Sequence, residues 1–246
     1  MKLLLFFLSL SFMSCFVEDE PEYIPANNRN QEERDEDTTS NDSDMNTLSF
    51  LALGDSYTIG ESVAEKDRWP VQLATRLQEN DVELSDPRII ARTGWTTNEL
   101  KGAIDASELD SPYDLVSLLI GVNNQYRGYP ISQQEKEFEE LLKMAIEFAG
   151  SDPSKVFVVS IPDWGVTPFA EGRDSDKIAK DIDEYNRVNY EIAQRYKVQY
   201  FNITPISREA KNDASLVADD GLHPSGEMYT RWVELIYPWA EEILAE

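Results

Sequence analysis

From Thr47 to the end of the chain, short apolar runs alternate with longer segments in which apolar residues recur at helical spacing. The segment "TLSFLALG" at 47–54 contains a continuous apolar run, as expected of a strand buried on both faces. Similar runs predict further strands at 87–93, 113–121, 155–162 and 198–203. The segments of helical spacing predict helices at 68–80, 96–109, 132–150, 176–196 and 226–246. Strands that alternate with helices predict an α/β fold whose five-stranded parallel sheet is covered on both faces.

Three of the predicted helices carry signals at particular residues. Thr96 or Thr97 can cap the helix at 96–109. Ser132, followed by Glu135, predicts a capping box at the start of the helix at 132–150, and Gly150 predicts its C-cap. A proline at position 238 predicts a kink or a break in the last helix.

The first residues of the chain do not fit this alternation. Residues 1–14 place one basic residue, Lys2, before an apolar run that is too short to span a bilayer with margin. This segment resembles a bacterial lipoprotein signal peptide, in which the cysteine after the cleavage site becomes the lipidated N-terminus. Cys15, the only cysteine of the chain, stands at that position. The alternative is an ordinary secretory signal with an incidental cysteine.

Residues 15–46 are acidic and rich in Asn, Ser and Thr, with few apolar side chains. Such a segment cannot bury enough apolar surface to offset the entropy of ordering, so we predict a disordered tether, with a sorting signal as the alternative. The folded domain is then expected at 47–246. With a lipidated Cys15, the protein is expected to be an exported lipoprotein of a bacterial cell envelope, held on its membrane by the lipid anchor only.

Composition narrows the possible partners of the domain. The chain has 246 residues, enough for one α/β domain with a sizeable core. Its 22 basic and 47 acidic residues give a formal net charge of -25, which argues against a nucleic-acid partner. A single cysteine excludes an intrachain disulfide, and the oligomeric state stays open.

Candidate chemistry lies in the loops that follow the predicted strands, where parallel α/β sheets carry their sites. Three such loops contain polar or glycine residues, at 54–56, 93–95 and 121–124, and a fourth segment at 220–224 precedes the last helix. The first three loops share one edge of a parallel sheet. The fourth can reach the same edge from the end of the chain.

These loops contain the groups that acyl transfer requires. A serine hydroxyl such as that of Ser56 needs a base to accept its proton, and His223 is the only histidine. Asp220, three residues earlier, can fix the tautomer of the imidazole. The backbone N–H groups of Ser56 and Gly94 and the side-chain amide of Asn123 can donate to an oxyanion.

Each block is weak when taken alone, because Gly-Asp-Ser also makes turns and a lone histidine is usually structural. Because the four blocks occur in this order and at strand ends, one functional site explains them better than four separate coincidences. No Gly-x-Ser-x-Gly elbow occurs, which weakens an α/β-hydrolase assignment. A P-loop is excluded at 54–60, because no Lys-Ser/Thr follows the second glycine.

The blocks "GDS", Gly94, "GVNN" and "DGLHP" resemble those of the SGNH/GDSL hydrolases, a family of serine esterases and lipases. The resemblance implies a flavodoxin-like three-layer α/β/α sandwich and no metal or organic cofactor. It implies that Ser56 is the nucleophile, His223 the base and Asp220 the orienting acid, with Gly94 and Asn123 completing the oxyanion hole. The family commonly has Asp where this chain has the amide of residue 124, which predicts a changed hydrogen bond in that loop.

Substrate recognition is less well marked. Trp164 and Phe169, in a long loop after the fourth strand, are candidate pocket residues, as are Asp55, Trp95 and Asn124. We expect a carboxylic ester hydrolase for small acyl esters, with acetyl groups on carbohydrate as the leading case. The alternatives are a lysophospholipase or thioesterase, and a non-catalytic binding lipoprotein with a hydrolase fold. The complete Ser-His-Asp set argues against the last.

Overall fold

The computed structural model describes residues 47–245. The predicted signal peptide at 1–14, Cys15 and the tether at 15–46 lie outside the described residues. The strands are β1 (Phe50–Gly54), β2 (Arg88–Ala91), β3 (Leu115–Leu119), β4 (Val156–Val159) and β5 (Gln199–Phe201). The helices are α1 (Ser56–Ile59), α2 (Trp69–Gln78), α3 (Thr97–Asp105), α4 (Val122–Tyr126), α5 (Ile131–Phe148), α6 (Ser175–Arg195), α7 (Thr204–Arg208) and α8 (Gly226–Leu244).

The five strands form one parallel sheet in the order β2-β1-β3-β4-β5. β1 and β3 are central neighbours, with Gly54 paired to Leu119, and β2 lies on the other side of β1. The loops after β1, β2 and β3 therefore leave the sheet side by side at one edge. This order confirms the predicted parallel sheet and explains why residues far apart in sequence can meet there.

Side chains that alternate along β1 bury into two separate core clusters, one on each face of the sheet. Phe50 and Ala52 join the cluster with α2 and α8, whereas Leu51 and Leu53 join the cluster with α3 and α5. Burial of a leucine or phenylalanine side chain contributes about 1.5–3 kcal/mol. Both faces of the sheet are therefore held by helices, which gives the three-layer α/β/α architecture.

Two predictions about helix ends are wrong, whereas the cap on α3 is confirmed. Thr96 caps α3 in a capping box with Glu99. The capping box predicted at Ser132 and Glu135 is absent, because α5 already begins at Ile131 and the Pro130 carbonyl accepts the N–H groups of its first turn. Ala149 is the C-cap of α5, and Gly150 follows it with a left-handed φ of 70°.

The last helix passes through its proline without a break. α8 runs continuously from Gly226 to Leu244 with Pro238 in its interior. Its buried face, which includes Trp232 and Ile236, packs fully inside the cluster with α2. Because tertiary packing can outweigh local propensity, the predicted break does not occur. Between residues 47 and 245, no helix combines the length and the apolar character that crossing a bilayer requires.

Candidate active site

The stretch after β1 turns directly into a short helix that begins with the predicted nucleophile. The side chain of Asp55 accepts a hydrogen bond from the backbone N–H of Tyr57 (3.1 Å) and so caps α1. Ser56 is the first residue of that helix. Gly54 is required before it, because a Cβ at this position would lie 2.1 Å from Thr58 Oγ1. The glycine and the carboxylate therefore make the turn that presents the serine.

Asp220 and His223 form a directly hydrogen-bonded side-chain pair in the site. Asp220 Oδ2 lies 2.5 Å from His223 Nδ1, and Oδ1 accepts the backbone N–H groups of Leu222 (2.9 Å) and His223 (3.0 Å). Ser62 Oγ also donates to Oδ2, at 2.7 Å. Partial burial opposes ionisation of Asp220, but these hydrogen bonds outweigh it and lower the pKa of the carboxyl well below its usual range. An ionised Asp220 favours the tautomer in which Nδ1 carries the proton and Nε2 is free to accept one.

Ser56 and His223 face one cavity of about 160 Å³. The other lining residues come from α1, from the loops after β2 and β4, from α4 and from the segment before α8, namely Tyr57, Thr93, Gly94, Val122, Asn123, Tyr126, Trp164, Phe169 and Leu222. Within the described residues, no hydrogen bond joins Ser56 Oγ to the imidazole. Catalytic hydrogen bonds often tighten only when substrate is bound, so the arrangement is compatible with proton transfer.

Gly94 is positioned by a network that sequence reasoning did not identify. The glycine has a left-handed φ of 87°, which few other residues adopt. Arg127 Nη2 donates to the carbonyl of Gly94 at 2.6 Å, while its Nη1 lies 3.3 Å from Glu99 Oε2. Arg127 thereby ties the loop after β2 to the end of α4. No hydrogen bond within residues 47–245 occupies the backbone N–H of Gly94 or of Ser56.

Asn123 and Asn124 are adjacent but have different surroundings. Asn123 lines the cavity and donates one Nδ2 hydrogen to the carbonyl of Trp95 (2.9 Å), which leaves the second hydrogen for a ligand. Asn124 is fully buried, accepts the backbone N–H of Thr97 at 3.0 Å and donates to Thr97 Oγ1 at 2.6 Å. Thr97 Oγ1 in turn donates to Glu137. Since that hydroxyl has only one hydrogen, an amide donor at position 124 satisfies it where a carboxylate could not.

Three aromatic side chains, Tyr126, Trp164 and Phe169, form one side of the cavity and are called the aromatic wall below. Their ring centres are 5.5 Å (Tyr126 to Trp164), 6.1 Å (Tyr126 to Phe169) and 5.9 Å (Trp164 to Phe169) apart. Trp164 Nε1 donates to Gln125 Oε1 at 2.9 Å, which fixes the indole. Trp164 and Phe169 therefore lie where the sequence predicted pocket residues, and Tyr126 joins them.

The other three predicted pocket residues lie outside the cavity. Asp55 is fully buried beneath Ser56, and Asn124 is buried against α3. Trp95 contributes its carbonyl to Asn123, while its ring packs on the core cluster of α3 and α5. The sequence indicated their proximity to the site, but it could not tell which side of each loop the side chain would take.

Asp55 combines complete burial with incomplete hydrogen bonding. Its Oδ2 has no hydrogen-bond partner within the described residues. Burial raises the pKa of Asp55 to about 7, against smaller lowering effects of backbone hydrogen bonds from Tyr57 and from its own N–H. Asp55 therefore helps to position Ser56 and does not line the surface that would bind substrate.

Among residues 47–245, no group of three or more His, Cys, Asp and Glu side chains could hold a metal ion.

Comparisons with known proteins give one family match and several similar folds. The model of the GDSL-like Lipase/Acylhydrolase family matches residues 52–231. The fold is similar to that of TesA, with 18% identity, a TM-score of 0.62 and coverage of 80% of this chain and 99% of that chain. It is also similar to the psychrotrophic esterase EstA from Pseudoalteromonas sp., with 15% identity, a TM-score of 0.58 and coverage of 80% and 99%. A variant of Axe2, an acetyl xylan esterase from Geobacillus stearothermophilus, has 19% identity, a TM-score of 0.56 and coverage of 78% and 94%. No curated protein sequence matches the chain.

Proposed function

The chain belongs to the GDSL-like lipase/acylhydrolase family and is a carboxylic ester hydrolase, and we propose that it cleaves small acyl esters with Ser56 as its nucleophile. The observation that carries this proposal is the cavity of about 160 Å³, which Ser56, Gly94, Asn123 and His223 all face. The nucleophile, the base and the oxyanion donors are thus around a single small space.

In the proposed reaction, Ser56 Oγ attacks the carbonyl carbon of the ester while His223 Nε2 accepts the serine proton. Asp220, at 2.5 Å from Nδ1, stabilises the imidazolium that results. The tetrahedral intermediate collapses as the imidazolium returns the proton to the leaving alcohol, and Ser56 keeps the acyl group. Water, with His223 again as base, then releases the acid.

The negative charge that develops on the carbonyl oxygen requires hydrogen-bond donors that are already in place. We assign this role to the backbone N–H groups of Ser56 and Gly94 and to the free Nδ2 hydrogen of Asn123. The Trp95 carbonyl holds the Asn123 amide at 2.9 Å, so the donor does not have to reorganise during the reaction. Removal of one such side-chain donor typically costs about 10²–10³ in kcat.

The size of the cavity supports a short acyl group. A cavity of about 150 Å³ holds a single benzene ring, so the 160 Å³ available here suits an acyl chain of only a few carbons. The rim is aromatic, with Phe169 and Tyr126 exposed to 40% and 47%. Flat exposed rings suit the face of a sugar, which favours acetyl esters of carbohydrates. Acetyl xylan is the substrate named for one structural neighbour, Axe2.

A second candidate function is hydrolysis of lipid-derived esters, as in a lysophospholipase or a thioesterase. The same exposed rings of Phe169 and Tyr126 favour it, because a longer acyl chain could lie across them outside the cavity. A third, non-catalytic function as a binding lipoprotein has no observation in its favour among the described residues. We also propose that Cys15 carries a lipid anchor on an exported protein.

A series of p-nitrophenyl esters tests this proposal. We expect kcat/KM to be highest for the acetate and to fall from butyrate to octanoate, because longer chains exceed the cavity. Ser56→Ala should lose activity by several orders of magnitude, as catalytic serines do. A fluorophosphonate should label the native chain but not this variant. A maximum at octanoate would favour the second function, and no labelling would favour the binding protein.

A further inference from the structure

Arg173 lies against the aromatic wall, with the carbon of its guanidinium group near all three rings. Its Cζ is 5.3 Å from the ring centre of Tyr126, 5.4 Å from that of Trp164 and 5.0 Å from that of Phe169. Nη2 also donates to the Tyr126 hydroxyl at 3.3 Å. All three rings line the cavity that contains Ser56, whereas Arg173 itself is exposed. The cation is therefore held at the rim of the candidate active site.

The N–H groups at the edge of this guanidinium are largely unused. An arginine carries five donors, and the Tyr126 hydroxyl takes one of them. Within the described residues, no carboxylate oxygen lies within ion-pair distance of Arg173, although the chain has 47 acidic residues. Its neighbour Asp174 instead caps α6 by accepting the N–H of Lys177 at 2.9 Å. Arg127, another arginine at this edge, uses donors on Gly94 and Glu99.

We propose that Arg173 is a specificity-determining residue that binds a carboxylate on the leaving group of the ester. The inference rests on the proposed function, and it defines the substrate class as small acyl esters of hydroxy acids. A guanidinium held beside three aromatic rings and bonded to the Tyr126 hydroxyl is restrained in position. Its paired N–H groups match the two oxygens of a carboxylate. The cavity takes the acyl group, and the leaving group then extends along the aromatic wall towards Arg173.

The charge of the whole chain increases the effect that a cation at the site has on an anionic substrate. A net charge of -25 disfavours the approach of anions. A local cation such as Arg173 compensates this repulsion near the site. A neutral ester needs no such compensation, so the two kinds of substrate should respond differently to loss of Arg173.

Two esters that differ only in one carboxylate test this proposal. We would measure kcat/KM for 4-acetoxybenzoate and for its methyl ester, and divide each value by the hydroxide-catalysed rate of the same ester. In the native chain, the corrected ratio should favour the anion by roughly threefold to tenfold, as expected for a partly exposed charge-assisted pair. Arg173→Gln should abolish this preference, Arg173→Lys should keep part of it, and 1 M salt should weaken it in the native chain.

Arg187→Gln is the matched control, because this arginine is exposed on α6 and pairs with Glu191 at 2.8 Å. Its ratio should equal that of the native chain. The proposal is overturned if the native chain has no preference for the anion, or if Arg173→Gln retains it. With 4-acetoxyphenyl phosphate as a third ester, a stronger Arg173-dependent preference for phosphate would overturn the assignment to a carboxylate.

A binding measurement separates this inference from the proposed function. If the native chain hydrolyses neither ester, the proposed function fails, and calorimetry with 4-hydroxybenzoate and its methyl ester still tests Arg173. The native chain should bind the anion more tightly than the methyl ester, and Arg173→Gln should remove the difference. Equal affinities in both proteins would overturn the role of Arg173.

Discussion

At the scale of single residues, the buried carboxyl of Asp55, which precedes the nucleophile in the chain, destabilises the folded protein when it ionises. Burial raises its pKa from an ordinary value of 3.8 to about 7. The folded protein therefore holds this proton up to a higher pH than the unfolded chain does. Between about pH 4 and pH 7 the folded state binds more protons, so unfolding releases a proton and stability falls as pH rises. Above pH 7 both states are ionised at this residue and its contribution becomes constant.

Asp55→Asn should remove this pH dependence. Asn is as good an N-cap as Asp, so the hydrogen bond from the Tyr57 N–H can persist. As pH rises from 4 to 7, the free energy of unfolding of the native chain should fall relative to that of the variant by up to about 4 kcal/mol. Urea unfolding at pH 4, 5.5, 7 and 8 measures the difference, and Asp105→Asn, at an exposed carboxylate, corrects for the loss of one charge. A constant difference across this range would contradict the burial of an ionisable Asp55.

Residues that support the site from a distance were not predictable from the sequence. Ser62 donates to Asp220 across 158 positions of the chain, and no local pattern marks it. The blocks around Ser56, Gly94 and Asn123 were recognisable because they follow predicted strands, and His223 because it is the only histidine of the chain. The side-chain directions of Trp95 and Asn124 depend on packing with α3, and a single sequence does not contain that information.

At the scale of elements, α3, α4 and α5 are joined by a chain of hydrogen bonds behind Asn123. Asn124 of α4 donates to the Thr97 hydroxyl of α3, which donates to Glu137 of α5. These contacts give a physical reason for an amide at position 124. Glu137 takes the only hydrogen of the hydroxyl, so the neighbouring group must be a donor.

Asn124→Asp should break this chain, because two carboxylates would compete for one hydroxyl hydrogen. We expect a loss of about 1–3 kcal/mol in the free energy of unfolding, the typical cost of an unsatisfied buried polar group. It should come with a lower kcat, since Asn123 is the next residue. In the double variant with Glu137→Gln, the Thr97 hydroxyl can donate to the carboxylate introduced at position 124 and accept from the amide introduced at position 137. Chemical denaturation of the four proteins in this cycle should therefore show that the second change rescues the first, and additive losses would contradict the coupling.

Strands and long helices were predictable because hydrophobic periodicity extends over many residues, but their ends were less so. Both Pro130 and Ser132 could have marked the start of α5, and in the structure Pro130 is the N-cap, so the helix begins at Ile131. The uninterrupted α8 shows the opposite case, in which packing of Trp232 and Ile236 overrides a local signal at Pro238.

At the scale of the whole molecule, the described residues 47–245 contain two core clusters, one on each face of the sheet. Near the start of this range, Leu48 forms an isolated parallel bridge with Leu84. The backbone N–H of Leu48 also donates to the carbonyl of Glu83 at 2.7 Å.

Because residues 15–46 are acidic with few apolar side chains and residues 47–245 contain both core clusters, we predict that anchoring and catalysis are separable. A chain of residues 47–246 should unfold at the same temperature as the Cys15→Ser full chain, within about 2 °C, and should hydrolyse p-nitrophenyl acetate equally well. A chain that begins at Leu53 should not fold, because it lacks the buried Phe50, Leu51 and Ala52 of the central strand. In bacterial fractions, the native full chain should be found in the membrane and Cys15→Ser in the soluble fraction, since a lipid chain would be the only anchor. If residues 47–246 aggregate or melt much earlier, the segment before Thr47 contributes to the fold, and if Cys15→Ser stays in the membrane fraction, the anchor lies elsewhere.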